Sequence, residues 1–293
     1  MLIERARNVV KVSFEPILPD AAGGLNGRCC AVDLRVMNPA APKRVVMKIA
    51  FADSIWSRLY GPYGNRSVDL QLRLLSEKWD NAVAKELFWE ELHHQDDIYP
   101  ATFAALPWLV ELSPSKGEAF EETYLFLSHV IHCACTEGGT GCDGTGPRGK
   151  YRGLSTEIED HQHSWIPHSE QLTIEDQPVL IKLEQWFSEH LAAIAKRCLN
   201  LVGSDLVVSA YAIEGFASAN GGSRVAWSTQ MFADGEDVDF ISRELGAYDD
   251  CDTMAVAKLF PHVQERNPDL ASFMLDYPGC NFVPDDPRQS NLV

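Results

Sequence analysis

The spacing of apolar side chains changes once along the chain, near residue 67. Upstream it has the period of two expected of half-buried strands. Val10-Lys11-Val12-Ser13-Phe14 alternates, and so does Cys30-Ala31-Val32-Asp33-Leu34-Arg35-Val36, which puts Val32, Leu34 and Val36 on one face. Asn38-Pro39-Ala40-Ala41-Pro42-Lys43 supplies a turn, because proline fixes φ and lacks a ladder donor. Val45 to Phe51 returns as the partner strand. The pattern predicts a small N-terminal β hairpin or sheet within residues 1–66, most of it between 8 and 52. Asp53 to Gly64 follows as a connector whose Trp56, Tyr60 and Tyr63 pack on the next part of the chain.

From Ser67 the period is helical. Ser67 caps a helix carrying Leu70, Leu72, Leu74, Leu75 and Trp79, and Asn81 caps a second with Val83, Leu87, Phe88 and Leu92. Pro100 opens a third, Ala101 to Leu112, in which the interior Pro107 predicts a kink or tight turn. Glu118 to Cys133 is a fourth. The clearest pattern is Leu183, Trp186, Phe187, His190, Leu191, Ile194, Ala195 and Cys198 at i, i+3, i+4, i+7, with Pro178 near its start and Gly203 beyond its end. Further helices are expected over Asp205–Asn220, Arg224–Phe232, Thr253–Val263 and Asp269–Asp276. Between these sets, Thr136 to about Pro167 is rich in Gly, Pro and His without periodicity and reads as a long loop, and Pro284–Val293 as a polar tail.

Composition narrows the class. With 45% hydrophobic and 23% charged residues in 293, the chain is globular in character. Its N-terminus, Met1-Leu2-Ile3-Glu4-Arg5-Ala6-Arg7, is charged where a signal peptide needs an apolar core, and no run reaches about 18 apolar residues. The expected location is therefore cytoplasmic, with no membrane contact and with the eight cysteines reduced. Charge is split: residues 1–66 hold ten Lys/Arg against five Asp/Glu, and the remainder fifteen against thirty-seven. A body with a net charge of −22 repels nucleic acid and steers a basic protein toward itself. The densest run, Asp234, Glu236, Asp237, Asp239, Glu244, Asp249, Asp250 and Asp252 with Arg243 as its sole cation, lacks the ordered spacing of a calcium loop. It is either a solvated face or a docking surface for such a partner.

Catalytic patterns are weak. Gly144-Thr145-Gly146-Pro147-Arg148-Gly149-Lys150 has the spacing of a phosphate-binding loop, but Tyr151 stands where Ser or Thr would bind magnesium. Asp160, His161, His163 and His168 fit a solvated loop. His129, His132, Cys133, Cys135 and Cys142 are the best metal candidates, since His129 and His132 share a helical face and three thiols follow. Cys-x-Cys is tighter than usual zinc spacing and no second Cys-x-x-Cys knuckle occurs, so neither metal nor other cofactor is expected. His93 and His94 fit a helix end, where they complement the dipole.

One stretch carries a family pattern. From Trp89 to Leu112, a helix ends in His94-Gln95, a short turn leads to Tyr99, and Ala104-Ala105-Leu106-Pro107-Trp108-Leu109 follows. This resembles bacterial HEAT-repeat-like proteins, α-solenoids that are often encoded beside toxins. The resemblance implies a mainly α fold, a HEAT-like helical repeat array over residues 67–283 after the N-terminal β element. It also implies a non-catalytic, protein-binding scaffold, of the kind that acts as an immunity-type inhibitor of a basic toxin or effector. The alternative is a metal-dependent enzyme built on the His129/His132/Cys133/Cys135/Cys142 cluster.

Overall fold

In the computed structural model of the chain, the described residues are 48–94, 97–135 and 170–284. They are mainly helical. Ten α-helices are present among them: α1 (Val68–Glu77), α2 (Asn81–Glu86), α3 (Pro100–Leu112), α4 (Glu118–Cys135), α5 (Gln177–Cys198), α6 (Leu206–Ala219), α7 (Ser223–Ala233), α8 (Val238–Leu245), α9 (Asp250–Val263) and α10 (Pro268–Asp276). No helix among the described residues is long and apolar enough to cross a membrane.

The caps explain most boundaries. Asp80 accepts from the amides of Ala82 and Val83, so the cap of α2 is one residue before the expected Asn81. Asp205 caps α6 through Val208, and Asn267 caps α10 through Leu270. Ser67 precedes α1 as expected, but with φ of 48° and no side-chain cap bond. Helix α3 runs through Pro107 to Leu112, where a kink or turn was expected. Pro107 is buried within the helix, where its ring offers no amide donor to the preceding turn. Helix α8 was missed because its acidic residues masked the apolar spacing of Val238, Ile241 and Leu245.

The β structure departs from expectation. Residues 1–47, which include most of the predicted N-terminal strands, lie outside the described residues, and Lys48–Phe51 is not strand. The sheet that is described consists of β1 (His93–His94) and β2 (Asp97–Ile98), paired antiparallel with His93 opposite Ile98. It falls where the sequence suggested a helix end and a turn. The connector reading holds for Trp56 and Tyr60, which are buried, while Tyr63 is 46% exposed. The predicted loop at 136–167 and the tail beyond 284 also lie outside the described residues.

Between α2 and β1 the helix widens into a π-helix, Leu87–Glu91, closed by the Leu92 amide on the Leu87 carbonyl at 3.0 Å. Two apolar clusters form the core. One gathers residues from Ile49 to Cys198 and the other from Leu199 to Tyr277, with Phe216 of α6 packed against both. Helix α6 is lined with small residues, and Gly215 permits a very close approach to α4: a Cβ there would lie 2.5 Å from the Ser128 carbonyl oxygen. The Gly215 amide donates to Ser128 Oγ at 2.9 Å. This contact holds the polar faces of α4 and α6 against each other.

Candidate functional site

Where α4 meets α6 and β1, the structure gathers polar side chains that are far apart in sequence. His129 and Cys133 lie one turn apart on α4, at the i, i+4 spacing that aligns side chains on one face. His93 reaches them from β1. The His129 and His93 Nε2 atoms are 2.9 Å apart, and Cys133 Sγ is 3.4 Å from His129 Nε2. One donor atom from each of the three residues fits within a span of 4.8 Å.

Behind His129 stands Glu214 of α6, 0% exposed, with Oε1 at 2.9 Å from His129 Nδ1. When the carboxylate accepts from Nδ1–H, the other ring nitrogen presents its lone pair to His93 and Cys133. Glu214 Oε2 has no hydrogen-bond partner among the described residues. Trp89, on the π-helix, walls the site: its ring is edge-on to His93 at 5.7 Å and tilted to His129 at 6.0 Å. Its indole N–H donates to Glu122 at 2.9 Å, which fixes the ring.

This set differs from the one suggested by sequence spacing. His132 shares the helix but turns inward, with Nδ1 2.8 Å from Ser218 Oγ and its ring against Trp227. Cys135 is two residues from Cys133 and so on another face, and burial pushes its thiol up to about 12, with Cys133 adding to the shift. Cys142 lies outside the described residues, as do residues 144–151, Asp160, His161, His163 and His168. His93, which sequence reasoning had placed at a helix end, is the residue that the pattern missed.

The other candidate residues are dispersed. His94 Nδ1 is 3.3 Å from Tyr63 Oη on the outer side of β1. Tyr99 is the residue before α3, where its amide donates to Thr102 Oγ1 at 2.9 Å, and Gln95 is outside the described residues. The acidic run is divided. Asp249 caps α9 and, with the buried Asp252, binds Arg224 Nη1 at 2.7 and 3.1 Å. Asp237 caps α8 through the Phe240 amide. Asp234, Glu236 and Asp239 are exposed beyond the end of α7, and Asp250 is exposed at the start of α9. Arg224 is near the start of α7, whereas Asp234 follows its end, and the eleven residues of that helix span about 16 Å.

No protein-family model matches this chain, and neither a curated protein nor a solved structure shows significant similarity to it. What fold and site define is a class: a mainly helical protein with a histidine–thiol–carboxylate cluster at a helix junction.

Proposed function

We propose that this protein is a non-catalytic, protein-binding scaffold of HEAT-like helical-repeat type whose partner is a basic protein. The observation that carries this reading is the exposed run Asp234–Asp239. Four carboxylates flank the exposed Val238 there, and no cation is found within the run itself. Carboxylates around an apolar side chain suit a basic surface with an apolar contact at its centre. The helical body and the Trp89–Leu112 motif support the repeat reading, and chains resembling that motif direct attention to a toxin or effector as the partner. Asp249 and Asp252 are left out of the surface because capping and Arg224 already engage them.

The experiment is association with the product of the neighbouring gene, measured at low and high salt. Since the screening length is about 8 Å near 0.15 M salt, the charges act mainly at close range and on the association rate. Wild type should associate more slowly as salt rises. Glu236→Gln with Asp239→Asn should start slower and respond less, while Asp250→Asn, at the start of α9 and outside this run, should behave as wild type. Equal rates and salt slopes for all three proteins would remove docking from this face.

A further inference from the structure

We propose that His93 Nε2, His129 Nε2 and Cys133 Sγ together bind one divalent transition ion of the zinc class, with Glu214 orienting His129 from behind. Three independent features converge on this reading.

The first is donor geometry. A tetrahedral zinc ion lies about 2.0–2.1 Å from nitrogen and about 2.3 Å from sulfur, which places two nitrogens about 3.3 Å apart and nitrogen and sulfur about 3.6 Å apart. The observed separations are 2.9 and 3.4 Å. These two pairs are within a few tenths of an ångström of the zinc values, and all three donors lie within 4.8 Å of one another. Two of them lie on one face of a regular helix, and the third enters from a different element. An ion there would tie β1 to α4.

The second is the outer contact. A ligating imidazole that gives its other N–H to a carboxylate is held in one tautomer and one orientation. His129 and Glu214 have this arrangement, with the carboxylate supplied by α6 and fully buried. Glu214 lies among Ala212, Ile213, Gly215 and Ala217, and its Oε1 also stands 3.8 Å from His132 Nε2, so one buried carboxylate faces both imidazoles of α4. As the outer partner of a metal-bound histidine, Glu214 has a role.

The third is charge and ligand type. A thiolate ligand from Cys133 would offset one charge of a divalent ion at this partly buried junction. Two imidazoles and a thiolate favour zinc or cobalt over magnesium or calcium, whose preferred ligands are oxygens. These three donors, taken from the described residues, supply three of the four positions of a tetrahedral ion.

Cobalt(II) titration of the reduced full-length chain tests the proposal. Wild type should take up one cobalt per chain, develop a thiolate-to-cobalt charge-transfer band, and lose the band when zinc is added. Tryptophan fluorescence should be quenched in step, because Trp89 stands beside both histidines. Cys133→Ser should abolish the charge-transfer band. His93→Gln should weaken binding at least tenfold, and Glu214→Gln by about 10–100-fold, the usual effect of removing an outer partner. Cys135→Ser should bind as wild type does. Far-UV circular dichroism establishes that each protein is folded. If Cys133→Ser or Glu214→Gln fails to fold, His93→Gln remains informative, because that side chain is only half-buried. A folded wild type that takes up no stoichiometric cobalt would overturn the site. So would a charge-transfer band that survives Cys133→Ser, or binding indifferent to His93→Gln.

Discussion

Gly215 and His93 carry much of the site's geometry, and they act in opposite ways. Gly215 acts by having no side chain. A Cβ at this position would sit 2.5 Å from the Ser128 carbonyl oxygen and 2.8 Å from its Cα, atoms that belong to a helix backbone and cannot rotate away. Gly215→Ala must therefore push α6 from α4, with an expected loss of about 1–3 kcal/mol of stability by overpacking. Urea unfolding followed by circular dichroism measures it; an unchanged midpoint would show that the helices yield freely. His93 acts by reach. Sequence spacing compares residues on one element, so it could show His129 and Cys133 on a common face but could not bring in a residue 36 positions earlier. The legible clue was Glu214, a single carboxylate in a helix otherwise made of apolar and small residues, which needed a polar partner from somewhere.

Among elements, the helices of 67–280 were legible because apolar periodicity and capping residues agreed. Where they conflicted, the reading failed. Helix α8 has a clear apolar face but stands in an acidic run, and β1 and β2 are too short for any alternation to register. One tie between elements has a pH signature. A 3-10 turn, Ser54–Ser57, is joined to another, Ile174–Asp176, by Arg58, whose Nε and Nη2 donate to the two Asp176 carboxylate oxygens at 2.9 and 2.6 Å. Burial raises the Asp176 carboxyl, but Arg58 and the Thr173 amide and hydroxyl outweigh it and hold the group below its ordinary value. A carboxyl depressed in the folded state stabilises it above the unfolded value, about 3.9, and this contribution fades as pH falls toward the folded one. Asp176→Asn should lose about 2 kcal/mol at pH 7 and show a weaker decline below about pH 4 than wild type. Parallel acid limbs in the two unfolding profiles would mean that the pair adds nothing.

For the molecule as a whole, the two apolar clusters meet on Phe216, and α6 contributes to the polar junction with α4 as well. Such a shared helix should make the clusters unfold together. Tryptophan fluorescence reports mainly on the first cluster, to which Trp56, Trp79, Trp89, Trp108 and Trp186 belong, while far-UV circular dichroism reports on all helices. The two signals are expected to give one midpoint in urea; separate midpoints would show that the helices after Leu199 melt independently. The charge division along the sequence was legible from composition. Its arrangement was not, because helix α7 separates carboxylates that are near neighbours in sequence, and Arg224 engages one group of them.

The π-helix Leu87–Glu91 gives the site a dependence on chain length. A bond from Leu92 to Leu87 spans one residue more than an α-helical bond, so this turn holds a surplus residue. The wider turn absorbs that residue, so the chain after it keeps the faces it would have in a helix one residue shorter. A deletion or insertion that no such turn absorbed would rotate everything downstream by about 100° around the helix axis before the chain reaches β1. Trp89 and His93 would then no longer face His129. A single in-frame codon thus separates a chain that assembles this cluster from one with every ligand still in its sequence and no site. Inheritance of the site would follow the length of this segment as closely as the identity of its histidines.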